Sequence, residues 1–327
     1  MHVLIAQIVV GNFSFIRAKE VEIRSSSKTI ADTASIELPN LKKLLAEQVG
    51  GLNGIKVGDP VEINLGYGED LVTEFIGFVK RIEPNIPLKL ECEDYAFVLR
   101  RKSYSKSWRN TTLKEVLNYL IEGTDIILDA KMPKVDFEKF RLDKVNGVFA
   151  LEKIKEEFGL SIYFRGTTLM VGEPYTLETY LPAVQYEYGV NIIDSDLTFR
   201  EKDDVKIKLR VVGVTKDNKQ QKVEVGDPDG ELRTMHRYGI TDETTLKRLG
   251  NKELEKYKYD GYEGSILTFG RPFCLHSYVA DYRDPNFPSR AGKYFIDSVL
   301  ITWGIGGYRR KPEFGLKLTL QVKERIN

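Results

Sequence analysis

Residues 66–68, Gly66-Tyr67-Gly68, have the glycine spacing with which backbone amides cradle a phosphate. A dinucleotide fingerprint also needs a third glycine and a helix whose N-terminal amides meet the phosphates. Here Leu71 stands at the third position, Glu69 and Asp70 put two anions where phosphate would sit, and strand-forming residues follow. The triplet therefore reads as a hairpin turn, where glycine takes a positive φ without a Cβ clash. Residues 226–231, GDPDGE, look like a calcium-loop fragment but lack the further acceptors and the distal Glu of such a loop. Asp-Pro and Asp-Gly are turn dipeptides, so a surface turn is expected.

Acid–base and nucleophilic chemistry find little more. His2, His236 and His276 are the only histidines, and none lies in a Gly-x-Ser-x-Gly or similar context. Glycoside hydrolysis asks only for two carboxylates about 5–10 Å apart. Asp281, Asp284 and Asp297 are the acids to test, with Trp108 and Trp303 as platforms on which a sugar would stack. Cys92 and Cys274 are far apart, and His276 beside Cys274 would need two further ligands from elsewhere to hold a metal. The expectation is reduced, buried thiols, no metal, no cofactor and no catalysis. A carbohydrate-binding or peptidoglycan-degrading β protein is the alternative from a different class.

Charge narrows the partners. The 327 residues carry 49 basic and 48 acidic side chains, a net charge of +1, where a nucleic-acid-gripping protein shows a larger excess or a basic stripe. The short runs Arg100-Arg101-Lys102 and Arg309-Arg310-Lys311 read as solvated faces. The opening MHVLIAQIVV lacks a basic leader and a cleavage site, so it reads as a first strand rather than a signal peptide. No run reaches the roughly 18 apolar residues of a membrane span. Synthesis in the cytoplasm, without membrane insertion, is the expectation.

The elements that must position these residues are mostly strands. Val21 and Ile23, then Ala34, Ile36 and Leu38, then Val61, Ile63 and Leu65, then Leu88, Leu90 and Cys92 alternate with polar neighbours. Such short alternating strands between turns predict a barrel or sandwich. A short helix is expected at 41–51. From 113 the period changes to a helix, with Thr112 and Glu115 as a capping box and Gly123 as its stop. A second helix ends at Gly159 and runs into a hairpin turning near Arg165-Gly166. Strands return from about 181, interrupted by a helix capped at Asp242 or Thr241. The closing stretch Phe314, Leu316, Leu318, Leu320 and Val322 faces one way.

The fold class that follows is β-rich α+β, with two related β-barrel domains and a small α+β domain between them. Its limits are 1–100 for the first barrel, 101–180 for the middle domain and 181–327 for the second barrel, with 216–262 as an insertion that could pack with the middle domain. The relation between barrels rests on a short echo, FIGFV at 75–79 and FIDSV at 295–299. Both strands lack a polar face, so something covers their outer side. The cover is either the chain's own segments or another subunit. Phe75, Ile76, Phe78, Val79, Tyr294, Phe295, Ile296 and Leu300 are the candidate subunit-interface residues.

Together, VGDPVEINLGYGEDLVTEFIGFVKRIEP, LKLECEDYAFVLRRKSY, the helix TLKEVLNYLIEGTDI, LEKIKEEFGLSIYFRGTTLMVGEP and GKYFIDSVLITWGIGGYRRKPEFGLKL resemble the baseplate hub proteins of contractile-tailed phages, the late control protein D family. The type VI secretion spike protein shares that architecture. The resemblance implies a structural homotrimer whose six barrels match a six-fold tail tube and whose lower face holds a three-fold spike. The implied partners are the tube protein and the spike protein, with DNA passing unbound, and the implied location is the baseplate of a virion assembled in the bacterial cytoplasm. The hub of a secretion or injection apparatus is the sister expectation.

Overall fold

The computed structural model describes residues 3–39, 54–172, 175, 182–215, 219–238, 240–288 and 291–318. The helix expected at 41–51 and the closing strand beyond 318 lie outside the described residues. The chain divides into two compact units. The first holds Met1–Pro174, Leu267–Phe273 and Ser298–Lys311, and the second Tyr175–Ile266, Cys274–Asp297 and Pro312–Asn327. The first unit thus takes in the stretch read as a first barrel, nearly all of the middle domain, and two segments from late in the chain.

In the first unit the chain makes Leu4–Val10 (β1), Phe13–Phe15 (β2), Glu20–Ser26 (β3), Thr33–Leu38 (β4), Pro60–Tyr67 (β5), Asp70–Glu83 (β6) and Leu88–Glu93 (β7). These form an antiparallel run in the order β3-β4-β7-β6-β5-β1-β2. The alternation expected from the sequence is what holds it together. Ala6, Ile8 and Val10, Val21 and Ile23, Ala34, Ile36 and Leu38, Val61, Ile63 and Leu65, and Leu88, Leu90 and Cys92 are all buried. A period of two puts each set on one face of a pleated strand, so a single face is removed from water. Between β5 and β6, Tyr67 pairs with Asp70 and Gly68 takes a φ of 59°, so the glycine triplet is a hairpin turn.

The same unit continues through a short helix, Ala96–Arg100 (α1), and Ser103–Thr112 (β8), Leu113–Ile121 (α2), Ile127–Leu128 (β9), Asp136–Asn146 (β10), Gly147–Phe158 (α3), Ser161–Arg165 (β11) and Thr168–Gly172 (β12). The capping box is present at α2: the Glu115 amide donates to Thr112 Oγ1, and the Thr112 amide donates to the Glu115 carboxylate, both at 3.2 Å. Leu113, Val116, Leu117 and Leu120 form its buried face. Helix α3 stops at Gly159 in the left-handed region, with φ of 61°. Thr112→Ala should cost about 1 kcal/mol in urea denaturation, with no change in slope, because one first-turn donor loses its acceptor.

The second unit holds Ala183–Glu187 (β13), Ile192–Arg200 (β14), Ile207–Val214 (β15), Gln220–Gly226 (β16), Glu231–Tyr238 (β17), Glu243–Tyr257 (α4), Val279–Arg283 (β19) and most of Gly261–Phe269 (β18). Two long strands, Gly292–Gly304 (β20) and Gly307–Lys317 (β21), give residues to both units. Strand β19 pairs in parallel with β13 and antiparallel with β20. Strands β16, β15 and β17 make a separate sheet covered by α4 through Leu209, Val211, Val223 and Leu246. Asp242 caps α4 by accepting the Thr245 amide at 2.7 Å. The GDPDGE stretch is the turn between β16 and β17, where Asp227 accepts the Ile207 amide at 3.0 Å. The molecule is thus β-rich, with large antiparallel sheets and few helices, and none of the described helices is long and apolar enough to cross a membrane.

Candidate functional site

The most unusual chemistry in the first unit is a charge pair sealed in its interior. Strand β6 carries a bulge: Asn64 faces Thr73 and Ile63 faces Phe75, so Glu74 is the extra residue. A bulge re-aims one side chain, and here Glu74 and Phe75 are both buried. On β21, Tyr308, Arg310, Pro312, Phe314 and Leu316 are the buried alternate positions. Register alone therefore turns Arg310 inward, where its side chain and that of Glu74 are both fully buried and form an ion pair. The Tyr308 hydroxyl donates to the same Glu74 oxygen, and Arg310 Nε donates to the Gly270 carbonyl at 3.3 Å. Burial, then the Glu74 charge, holds the Tyr308 phenol far above its ordinary pKa.

Neighbouring contacts tie the β5–β6 turn to the two late segments. Tyr67 donates its hydroxyl to the Tyr308 carbonyl at 3.1 Å, the Gly270 amide donates to the same carbonyl at 2.9 Å, and Arg271 pairs with Asp70 at 2.6 Å. Gly270 is required by close approach, since a Cβ there would sit 2.1–2.4 Å from ring atoms of Tyr308. The reading of Arg309-Arg310-Lys311 as a solvated face is corrected at its centre: Arg310 is among the largest fully buried side chains. The run Arg100-Arg101-Lys102 stays at the surface, Arg100 included, although Arg100 reaches inward to a buried acid. Arg100 grips the buried Glu93 through both guanidinium edges, at 2.7 and 3.1 Å, while Arg101 is exposed. The Phe314–Leu316 alternation, continued backwards, would have pointed to Arg310. Nothing in the sequence marks the bulge at Glu74.

The eight candidate interface residues divide by exposure. Phe75, Val79, Tyr294, Phe295 and Ile296 are buried within the chain, Phe78 and Leu300 are half-buried, and Ile76 is 40% exposed. Phe78 stacks on Phe97 and meets Tyr95 edge-on, at centroid distances of 5.6 and 5.2 Å. In the second unit Tyr294 stacks on Phe314 at 5.1 Å, and Phe295 meets Tyr175 edge-on at 5.2 Å. Most of the apolar surface on these strands is therefore covered by the chain itself.

The residues considered for catalysis are occupied structurally. Asp284 accepts the Asn286 and Phe287 amides at 3.0 and 3.1 Å, which caps a turn. Asp281 lies 3.6 Å from Arg283, and Asp297 is buried against Gly315, where a Cβ would lie 2.2–2.6 Å from its carboxylate. Trp303 is 9% exposed, and Trp108 lies between Tyr119 and Phe140 with Lys106 over its ring. His276 is buried with Nδ1 3.2 Å from Ser277 Oγ, and His236 is held below its ordinary pKa by burial and by Lys222. Cys92 and Cys274 are free and buried; burial pushes the Cys92 thiol up to about 12. Among the described residues no three His, Cys, Asp or Glu side chains gather as a metal site. A shallow polar concavity of about 430 Å³ lies over β3, β4, β6 and β7, lined by Glu20, Glu22, Arg24, Glu37, Lys89 and Glu91 among others. Its charges are largely paired on the surface, as in Arg24–Glu22 and Lys19–Glu37, both at 2.8 Å.

No protein-family model and no curated protein sequence matches the chain. Solved structures do. A tail protein from Neisseria meningitidis is 16% identical with a TM-score of 0.64, covering 96% of each chain. The 43 kDa tail protein of prophage MuSo2 from Shewanella oneidensis is 13% identical with a TM-score of 0.62, covering 95% of this chain and 97% of that one. An Escherichia coli component of the type VI secretion system, described as structurally similar to phage T4 tail proteins, is 8% identical with a TM-score of 0.59, covering 96% of this chain and 79% of that one. The chain has the fold of phage tail proteins and of a type VI secretion component along nearly its whole length.

Proposed function

We propose that this protein is a structural hub of a phage tail baseplate. Three copies form a ring that adapts a six-fold tail tube to a three-fold spike, each copy supplying two barrel-like units. What carries the reading is the span of the likeness: both units together, not one module, share the fold of tail proteins. In this reading the chain has no catalytic residues and no cofactor, its partners are its own copies, the tube protein and the spike protein, and it resides in the tail of the virion. Nearly balanced charge suits a ring through which DNA passes without being held. The specific kinship with the late control protein D family belongs to the same proposal. The likeness to a type VI secretion component favours one second reading, the equivalent hub of a secretion apparatus.

Light scattering of the purified chain is expected to give three times the chain mass at micromolar concentration. A monomer at every workable concentration would remove the ring. Electron microscopy of particles carrying a tagged copy would separate a virion baseplate from a secretion assembly.

A further inference from the structure

A three-fold ring closes through two different faces of each chain, one fitted to the other, because the same head-to-tail contact repeats around the axis. The two-stranded ribbon of β8 and β10, in the first unit, presents one such face. Its inner side is fixed by packing. Phe137, Phe140 and Leu142 are buried, Trp108 meets Phe140 and Tyr119 at centroid distances of 6.0 and 5.2 Å, and Lys153 of α3 lies 5.2 Å from the Phe140 ring. Its outer side is cationic. Arg109 stands directly opposite Lys139, Arg141 lies two residues further along β10, and all three are exposed. Like charges directly opposite on one sheet face repel, and the stretch from Arg101 to Thr112 carries four cations and no acid. The nearby acid on β10 is Asp143, which pairs with Arg141 at 2.9 Å; both side chains are more than half exposed, so solvent leaves that pair weak.

The complementary face is on β14, in the second unit. Among the described residues this strand ends its sheet, beside β18. Asp194, Asp196 and Thr198 are exposed while Ser195, Leu197 and Phe199 are half-buried, so the two acids share the outer side of the strand. The Asp194 carboxylate accepts the Ser195 amide at 2.8 Å. Glu201, Asp203 and Asp204 follow and are also exposed, so 194–204 holds five acids against Arg200 and Lys202. Arg200 is engaged by Glu263 at 3.1 Å and by the Tyr257 carbonyl at 2.7 Å.

We propose, resting on the hub reading, that β14 of one copy docks on the β8–β10 ribbon of the next, with Asp194 and Asp196 facing Arg109, Lys139 and Arg141. Alternate residues of a strand are roughly 6.5–7 Å apart. The acids of β14 and the cations Lys139 and Arg141 therefore share one pitch, and Arg109 adds a third cation about 5 Å across the ribbon from Lys139. Joined in this way, cations that repel within one copy are met by the carboxylates of its neighbour, which fixes partner and register. Nucleic acid is the other polyanion that fits a cationic ribbon. A run of carboxylates at the same pitch within the chain itself favours the second copy.

The test is light scattering of the full chain at about 50 mM and about 500 mM salt, with circular dichroism and the urea midpoint as checks on the fold. The unaltered trimer should dissociate more readily in the higher salt. Arg109→Glu with Lys139→Glu should raise the concentration at which the trimer dissociates by about tenfold or more, and so should Asp194→Lys with Asp196→Lys, because each sets like charges across the contact. The first pair leaves the repulsion within the ribbon as it was, so the fold should hold. If it does not, Arg109→Gln with Lys139→Gln takes its place and should shift dissociation in the same direction by less. All four reversals in one chain should restore the trimer. A trimer indifferent to either pair, or not restored by the four together, overturns the contact and leaves the hub reading standing, whereas an unaltered chain that is monomeric throughout overturns both. Duplex DNA binding that is lost on Arg109→Glu with Lys139→Glu, with the trimer unchanged, gives the ribbon to nucleic acid and overturns the contact.

Discussion

Arg310→Met should lower the stability of this protein by about 3–5 kcal/mol, the cost of leaving an uncompensated charge where water cannot reach it. Glu74 and Arg310 have fully buried side chains and pair with each other. In the variant, the Glu74 carboxylate loses the guanidinium and keeps the Tyr308 hydroxyl as a donor. The double variant Glu74→Leu with Arg310→Met should recover most of the loss, because a buried ion pair replaced by apolar side chains of similar volume is often neutral or stabilising. Guanidinium denaturation of the four proteins of the cycle measures the coupling. A single variant within about 1 kcal/mol of the unaltered protein would show that water reaches Glu74 and that the pair is not sealed.

The consequence reaches beyond one pair. Glu74 lies in the first hundred residues, and Arg310 arrives more than two hundred residues later. Around them Tyr67, Asp70, Gly270, Arg271 and Tyr308 make the same connection through hydrogen bonds and an ion pair. The first unit is therefore completed by residues 267–273 and 298–311. Contacts of such separation pay their loop-closure entropy before they return any stabilisation.

What could be read from the sequence was whatever depends on local period. The strands around Ile23, Ile36, Ile63 and Leu90 declare themselves because every second residue is apolar, and they are the buried positions. Thr112 with Glu115, Gly159 and Asp242 mark helix ends by chemistry that acts within one turn. Gly66-Tyr67-Gly68 could be refused as a phosphate loop because two acids follow it, and it is a turn. What could not be read depends on register. A one-residue bulge at Glu74 turns a charged residue inward without altering the pattern around it. Arg310 was hidden by its neighbours Arg309 and Lys311, which make a basic run of what is an inward position on β21. The apparently polarless strands at 75–79 and 294–301 are covered by the chain's own aromatic rings, and the first carries a bulge besides. The bulge makes consecutive residues Glu74 and Phe75 both inward, and Phe97, Tyr95, Phe314 and Tyr175 cover aromatic side chains that simple alternation would leave outside.

The candidate interface residues should therefore separate into two classes under mutation. Phe295→Ala should cost about 3–5 kcal/mol of stability, since a buried aromatic leaves a cavity as well as losing its transfer free energy. Phe295 is 5% exposed, lies opposite Val279 and meets Tyr175 edge-on, all within the second unit. Ile76 lies opposite Glu62 and is 40% exposed, so Ile76→Ser should move stability by no more than about 0.5 kcal/mol. Under the hub reading its effect falls on association: Ile76→Glu should shift light scattering toward monomer while leaving the circular dichroism and the denaturation midpoint unchanged. If Ile76→Glu trimerises like the unaltered chain, that residue lies outside the contact between copies and the half-buried Phe78 and Leu300 become the positions to change. If Phe295→Ala keeps its stability but loses its trimer, the aromatic serves the neighbour rather than its own fold. Stability and association, measured on the same two proteins, thus separate a residue that builds the subunit from one that joins it to another.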